Sequence, residues 1–264
     1  MENDEDIKNY WENRLSNNYG LHGVGFIGLG KNYNKWMYRV RRHVFFKKIK
    51  HLHIKSSQVE ILDIGSGTGF YINLWKELMV THVTGCDLTN TAVTKLKAKF
   101  SDFRFLELDI GDDNLPISEK FDIISAFDVL FHIVDDIKYL KALENIKNLL
   151  KPGGIFIFSE NFIHDESKYA KFQSTRSLKE IQDSLEKFGF IALERSPMFF
   201  LMNAPIDSKN RLLNKMWRMI TKNVSRGEKF GWIIGAIMFP LEIFIISITK
   251  ESPTTEIMIC KNSQ

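Results

Sequence analysis

The sequence predicts an α/β fold, a doubly wound sheet wrapped by helices, preceded by a helical segment and interrupted near its end by a long apolar insertion. Three observations carry this reading. Short β-branched runs alternate with helical patterns from about residue 56 to 200, the signature of a parallel sheet with crossover helices. The first run, VEILDIGSGTGF (Val59–Phe70), passes from strand through glycines into a helix. Some fifty residues then separate an apolar run at Phe190–Arg195 from a last one at Thr255–Lys261.

Residues 1–55 read as an N-terminal helical cap, and 56–264 as the main domain. The cap ends in the basic, aromatic stretch KWMYRVRRHVFFKKIKHLHIK. On a helix, Trp36, Val40, Val44 and Phe45-Phe46 make its apolar face, leaving the arginines solvated or holding an anionic group. Gly23–Gly28 matches G-x-G-x-x-G literally, but it follows a polar helical segment instead of a strand. It is expected to be a flexible loop without a dinucleotide-binding role.

The first strand ends at Asp63 and enters Gly65-Ser66-Gly67-Thr68-Gly69. Glycines there allow a tight turn and let a ligand approach the main chain at the start of a helix. The third glycine is at 69, with Phe70 where a dinucleotide fingerprint needs glycine. The second strand, Thr81–Cys86, is closed by Asp87, an acid placed to accept hydrogen bonds from ribose hydroxyls. The third, Phe103–Leu108, ends at Asp109-Ile110. FDIISAF (Phe121–Phe127) leads into DVLFHI, LLKPGGIFIFSENF supplies the fifth strand, and a helix at Ser177–Phe188 precedes the sixth.

These landmarks, with Lys151-Pro152-Gly153-Gly154 entering strand five, resemble the class I methyltransferases that use S-adenosylmethionine, over roughly residues 59–162. The resemblance implies a seven-stranded sheet whose last strand, Thr255–Lys261, runs antiparallel. It implies S-adenosyl-L-methionine as cofactor, at Asp63, Gly65, Gly67, Gly69, Asp87, Leu88, Asp109, Ile110 and Phe127, with Asp109 and the next amide serving the adenine. His132 stands where relatives often carry a histidine in a D-V-L-x-H run; it is either a general base or a residue packed beneath the methionine end of the cofactor. His164, past strand five, is an equal candidate or a loop residue. Ala126-Phe127-Asp128-Val129-Leu130 replaces the Asn/Asp-Pro-Pro-Tyr run of enzymes that methylate adenine-type amines, so nucleobase acceptors are disfavoured. The region from Tyr10-Trp11 to the basic stretch looks like caps of bacterial methyltransferases near glycan or lipid biosynthesis. No acids accompany His51 and His53, so no metal site is expected.

The net charge of +4 does not call for nucleic acid. The acidic, polar N-terminus shows no signal peptide, and Cys86 and Cys260 fall inside strands, which together fit a reducing cytoplasm. The insertion, at about 203–252, joins a basic segment (Lys209, Arg211, Lys215, Arg218, Lys222, Arg226, Lys229) to the apolar run Phe230–Thr249. That run is long enough to span a bilayer, but Pro240 and Glu242 near its middle argue against an ordinary span. Buried cap helices, and a lid or in-plane membrane element over 208–249, are the other readings. Strand topology puts the insertion over the substrate side. The expected activity is methyl transfer to a small-molecule or lipid- or glycan-linked acceptor, as O-methylation, in the cytoplasm or on the inner face of a membrane. The alternative is a non-catalytic S-adenosylmethionine-binding protein that docks a partner through the insertion.

Overall fold

The computed structural model describes residues 2–52 and 58–263; the expected cap boundary at residue 55 and His53 lie outside them. The cap comprises α1 (Glu2–Asn17), a single turn α2 (Leu21–Val24) and α3 (Gly30–His51). The sheet domain follows as β1 (Glu60–Ile64), α4 (Phe70–Glu77), β2 (His82–Asp87), α5 (Asn90–Lys99), β3 (Arg104–Glu107), β4 (Phe121–Phe127), α6 (Asp136–Leu149) and β5 (Leu150–Glu160). A two-stranded hairpin, β6 (Lys168–Ala170) and β7 (Gln173–Thr175), precedes α7 (Leu178–Lys187) and β8 (Phe190–Pro197). The chain ends with α8 (Arg211–Val224), α9 (Glu228–Ile248) and β9 (Glu256–Asn262).

The seven-stranded sheet has the order β3-β2-β1-β4-β5-β9-β8, with β9 antiparallel to both neighbours and the rest parallel. Both faces are covered, which is why successive residues of β1 and β4 are buried instead of alternating with exposed ones. One face packs Ile61, Ile123 and Ile157 against α3, α4 and α5, with Phe45 and Trp75 at the centre. The other packs Leu62, Ile124 and Phe158 against Leu143 of α6 and Leu185 of α7. Local signals start the helices: the Ser177 hydroxyl accepts the Glu180 amide of α7, and Asp135 accepts the Lys138 amide of α6. Cys86 and Cys260 are both buried free thiols.

Two expectations need correction, and one element was not foreseen. The glycine-rich stretch at 23–28 is not a flexible loop. Asn34 accepts the Phe26 amide at 3.0 Å and donates to the Phe26 carbonyl at 2.8 Å, and Arg14 Nε donates to the Gly23 carbonyl at 2.6 Å. Arg41 is not solvated: it is buried in α3 and pairs with Asp128 at the end of β4 (2.7 Å). The hairpin β6–β7 had no sequence signal, because three-residue strands of polar composition carry no readable period.

In the insertion, α9 is neither wholly buried nor free. Gly231, Gly235, Met238, Glu242 and Ile246 turn inward, and α9 packs mainly on α3. Gly235 is needed there because an added Cβ would come within 2.3 Å of the Trp36 ring. Glu242, fully buried, accepts the amides of Phe200 (2.6 Å), Leu201 (2.8 Å) and Met202 (3.2 Å) in the loop after β8. Burial lifts its pKa to about 7, while the three amides act in the opposite sense. An acid in the middle of an apolar helix is thus explained as an anchor for that loop.

Candidate active site

The parallel strands bring Ile64, Asp87 and Phe127 to one edge of the sheet, and the cleft opens there. Its floor is Gly65-Ser66-Gly67-Thr68 between β1 and α4. Gly65 and Gly67 have φ of +67° and +52°, left-handed values that favour glycine. A Cβ on Gly65 would lie 2.3 Å from Val129 Cγ2, whereas one on Gly67 would meet only Val24 closely, at 3.1 Å.

Asp87 closes one side. Its Oδ2 accepts the Gly67 amide (2.8 Å), and its Oδ1 accepts both the amide (2.9 Å) and hydroxyl (2.7 Å) of Thr89. Burial raises its pKa, against these donors. A carboxylate offers about four acceptor positions, so a ligand hydroxyl meets one free position here, on Oδ2, and not two. Further along the edge, Asp109 accepts the Gly111 amide on Oδ1 (2.9 Å) and pairs with Lys138 through Oδ2 (2.8 Å), leaving about one acceptor position on each oxygen. Leu88, Ile110 and Phe127 add apolar surface, the last stacked on Tyr71 at a centroid distance of 3.9 Å.

His132 lines the other end of the cleft. Its Nδ1 donates to the Phe172 carbonyl at the tip of the β6–β7 hairpin (2.9 Å), which leaves Nε2 as the nitrogen with a free lone pair. Trp11 meets the ring edge-on at 4.8 Å. Burial lowers the His132 pKa to about 4, although the Phe172 carbonyl and Asp128 favour the charged form. The ring is therefore neutral at physiological pH.

Asp63, Gly69 and His164 do not line this cleft. The Asp63 side chain turns under the loop, where Ser125 Oγ donates to its Oδ1 at 2.6 Å; it ties β1 to β4. Burial pushes its pKa to about 7. Gly69, at φ +77°, starts α4, and a Cβ there would strike Phe100 (2.5 Å) and Leu96 (2.7 Å). His164 is 53% exposed and bonded through Nδ1 to Asp207 (2.6 Å), so it is corrected from candidate base to surface residue. The insertion is corrected too, since no residue of 203–252 lines the cleft. Its cover comes from the cap: Ile7, Trp11 and Leu15 of α1, Val24, and Tyr38 of α3. Asp128 was also missed. It holds φ +58° after β4, bonded to Ser159 and paired with Arg41. Among the described residues there is no cluster of His, Cys, Asp and Glu that could hold a metal ion.

In Rossmann-like folds a cleft at the carboxyl edge of a parallel sheet, floored by glycines and closed by acids, is the place where a nucleoside binds. Residues 61–154 match the family described as a methyltransferase domain. A ubiquinone/menaquinone biosynthesis C-methyltransferase UbiE of Campylobacter jejuni subsp. jejuni serotype O:6 (strain 81116 / NCTC 11828) is 27% identical over 165 residues, 60% of this chain and 67% of that protein. A physcion biosynthesis cluster O-methyltransferase of Aspergillus chevalieri is 35% identical over 99 residues, 36% of this chain and 44% of that protein. In fold, the chain resembles magnesium protoporphyrin IX methyltransferase (ChlM) from Synechocystis PCC 6803, with a TM-score of 0.60 and 14% identity, covering 100% of this chain and 98% of that one. The protein is a class I S-adenosylmethionine-dependent methyltransferase, and its cofactor is S-adenosylmethionine.

The glycine geometry separates two kinds of variant. Gly67→Val is expected to abolish S-adenosylmethionine binding, because its side chain enters the cleft, with a small loss of stability on the order of 1–2 kcal/mol for the left-handed backbone. Gly69→Val should unfold at distinctly lower temperature, since it also wedges α4 from Phe100 and Leu96. Calorimetric titration and thermal melts of both variants check this; equal melting losses would contradict it.

Proposed function

We propose that the protein methylates a hydroxyl oxygen of a largely apolar small-molecule or lipid- or glycan-linked acceptor. The observation that carries this is His132, neutral, fixed as the Nδ1–H tautomer, and lining the cleft with Nε2 as its available lone pair. On this reading Asp87 accepts a ribose hydroxyl, Asp109 accepts the adenine amino group, and the Gly65–Thr68 backbone lies along the cofactor. Thr68 Oγ1, buried without a partner, is one more group such a ligand could satisfy. When bound, the cofactor supplies an electrophilic methyl on sulfur. The chain aligns acceptor and methyl for in-line displacement, which itself supplies much of the acceleration. Trp11, Tyr38, Phe127 and Ile133 exclude water from the acceptor end, and His132 Nε2 takes the hydroxyl proton as the oxygen attacks.

A base with a pKa of about 4 has little driving force for deprotonating an aliphatic alcohol. A phenolic or enolic hydroxyl is the better match. The similar proteins methylate carbon in one case and oxygen in another by their names, so the acceptor atom is read from this site alone. Mass spectrometry of the product made from a cell extract tests it: a new methyl ether supports the reading, whereas an N-methyl product would overturn it.

A further inference from the structure

We infer that the outer face of α9 and its basic surround form a seat for an anionic bilayer surface, on which the helix lies in plane. The inference does not depend on the acceptor's identity. Phe230, Ile233, Ile237, Leu241, Phe244 and Ile248 are all exposed, from 47% at Phe230 to 65% at Ile248. Their spacing of three and four places them on one side of the helix. The opposite side is committed to the protein through Gly231, Gly235, Met238 and Glu242. A helix bonded to the β8 loop by Glu242 cannot leave to span a membrane, yet a contiguous stripe of this size is unusual on a soluble surface. Only 28% of its most apolar window is buried.

Charge decides between a bilayer and a second copy of the chain. α8, packed beside α9, exposes Arg211, Lys215, Arg218 and Lys222 at helical spacing and contains no acid. Arg39, exposed on α3, stacks 4.0 Å over Trp36, which in turn packs on Trp232 at the edge of the stripe (6.0 Å). Among the described residues none of these five cations has an ion-pair partner. The acids of α9 are engaged: Glu228 accepts the Lys31 and Asn32 amides (both 2.7 Å), and Glu242 is internal. A two-fold contact between copies would bring the same basic rim against itself. A bilayer of anionic lipid complements both parts of the face. Tryptophan and arginine at the margin of an apolar stripe are also the side chains favoured at a membrane interface.

The test is co-flotation of the full chain with phosphatidylcholine vesicles, with and without about half phosphatidylglycerol, at low and high salt. Binding is expected to the anionic vesicles only, and to be released by salt, since each basic residue near the surface contributes roughly fivefold to partitioning. Ile237→Glu/Leu241→Glu should abolish binding, and Lys215→Glu/Arg218→Glu/Lys222→Glu should weaken it on the order of 100-fold or more. Both variants alter exposed positions away from the cleft and should keep wild-type S-adenosylmethionine affinity. Absence of wild-type binding at low salt would overturn the proposal, as would binding unchanged in the first variant. A dimer dispersed by Ile237→Glu would assign the stripe to a second copy instead.

Discussion

His132→Ala is expected to lower turnover by about 10²–10⁴-fold while leaving S-adenosylmethionine affinity within a few-fold of wild type. The loss should fall toward the lower end, because a weak base contributes less to proton transfer. The sign of the pH dependence follows from the same group. Burial holds the His132 pKa near 4, so the competent neutral form dominates above that value and is lost as pH falls through it. Wild-type kcat/KM should therefore show an acid limb near pH 4, absent from the residual activity of the variant. Phe172 gives an independent control, since its carbonyl holds Nδ1 from the hairpin, and its ring stacks on Tyr10 at 4.6 Å. Phe172→Ala keeps that carbonyl but loosens the hairpin from α1, and should reduce turnover less than His132→Ala. Normal turnover in His132→Ala would remove the base and leave the fold and cofactor assignments standing.

The second large effect concerns stability. Arg41→Ala removes the cation that faces Asp128 across the junction of α3 and β4. Arg41 is buried, yet its pKa is raised: burial pulls it down, and Asp128 more than offsets that. Removing one partner leaves a carboxylate largely out of water with Ser159 as its remaining side-chain hydrogen-bond partner, a loss of about 3–5 kcal/mol. For a chain of this size that corresponds to roughly 10 °C in melting temperature. The arginine also lies over the Tyr38 and Phe199 rings, so some of the loss is packing. Adding Asp128→Asn should restore much of it, because asparagine tolerates the left-handed backbone there and carries no charge. A melt within 2 °C of wild type for Arg41→Ala would show that the pair does not hold cap to sheet.

The strands were legible because a parallel sheet covered on both faces needs short, mainly apolar runs without strict alternation, and EILDI and FDIISAF have few other uses. Asp87 and Asp109 were legible because chain order alone puts strand-closing acids at the ligand edge. Asp63 and Gly69 belong to the same motif, but their environment is tertiary. Whether the Asp63 side chain faces the cleft or Ser125 depends on the pleat, and Gly69 on how closely α5 approaches. The cap was harder. Ile7, Trp11 and Leu15 recur every four residues, which suggests a face on α1 without saying what it covers. The dockings of α1 rest on contacts far apart in sequence, such as Glu12 to the Thr91 amide (3.0 Å) and Lys8 to Glu107 (2.7 Å). His164 misled because the chain leaves the cleft edge after β5 to form the hairpin, which no local pattern announced. Composition alone could not choose among lid, span and core helix for α9. The partners of Glu242 and the outward stripe settle which side of the helix meets the protein.

The claim that everything else rests on is that the glycine-floored cleft, with Asp87 at its side, holds S-adenosylmethionine. Titration calorimetry of the wild-type protein and Asp87→Ala tests it most directly, with S-adenosylmethionine, S-adenosylhomocysteine and NAD as titrants. One-to-one binding of the first two and none of NAD is predicted, with affinity falling in the variant by about 1.5–3 kcal/mol, the range for hydrogen bonds to a charged group. Undiminished S-adenosylmethionine affinity in Asp87→Ala, or tighter binding of NAD than of S-adenosylmethionine to the wild type, would contradict it.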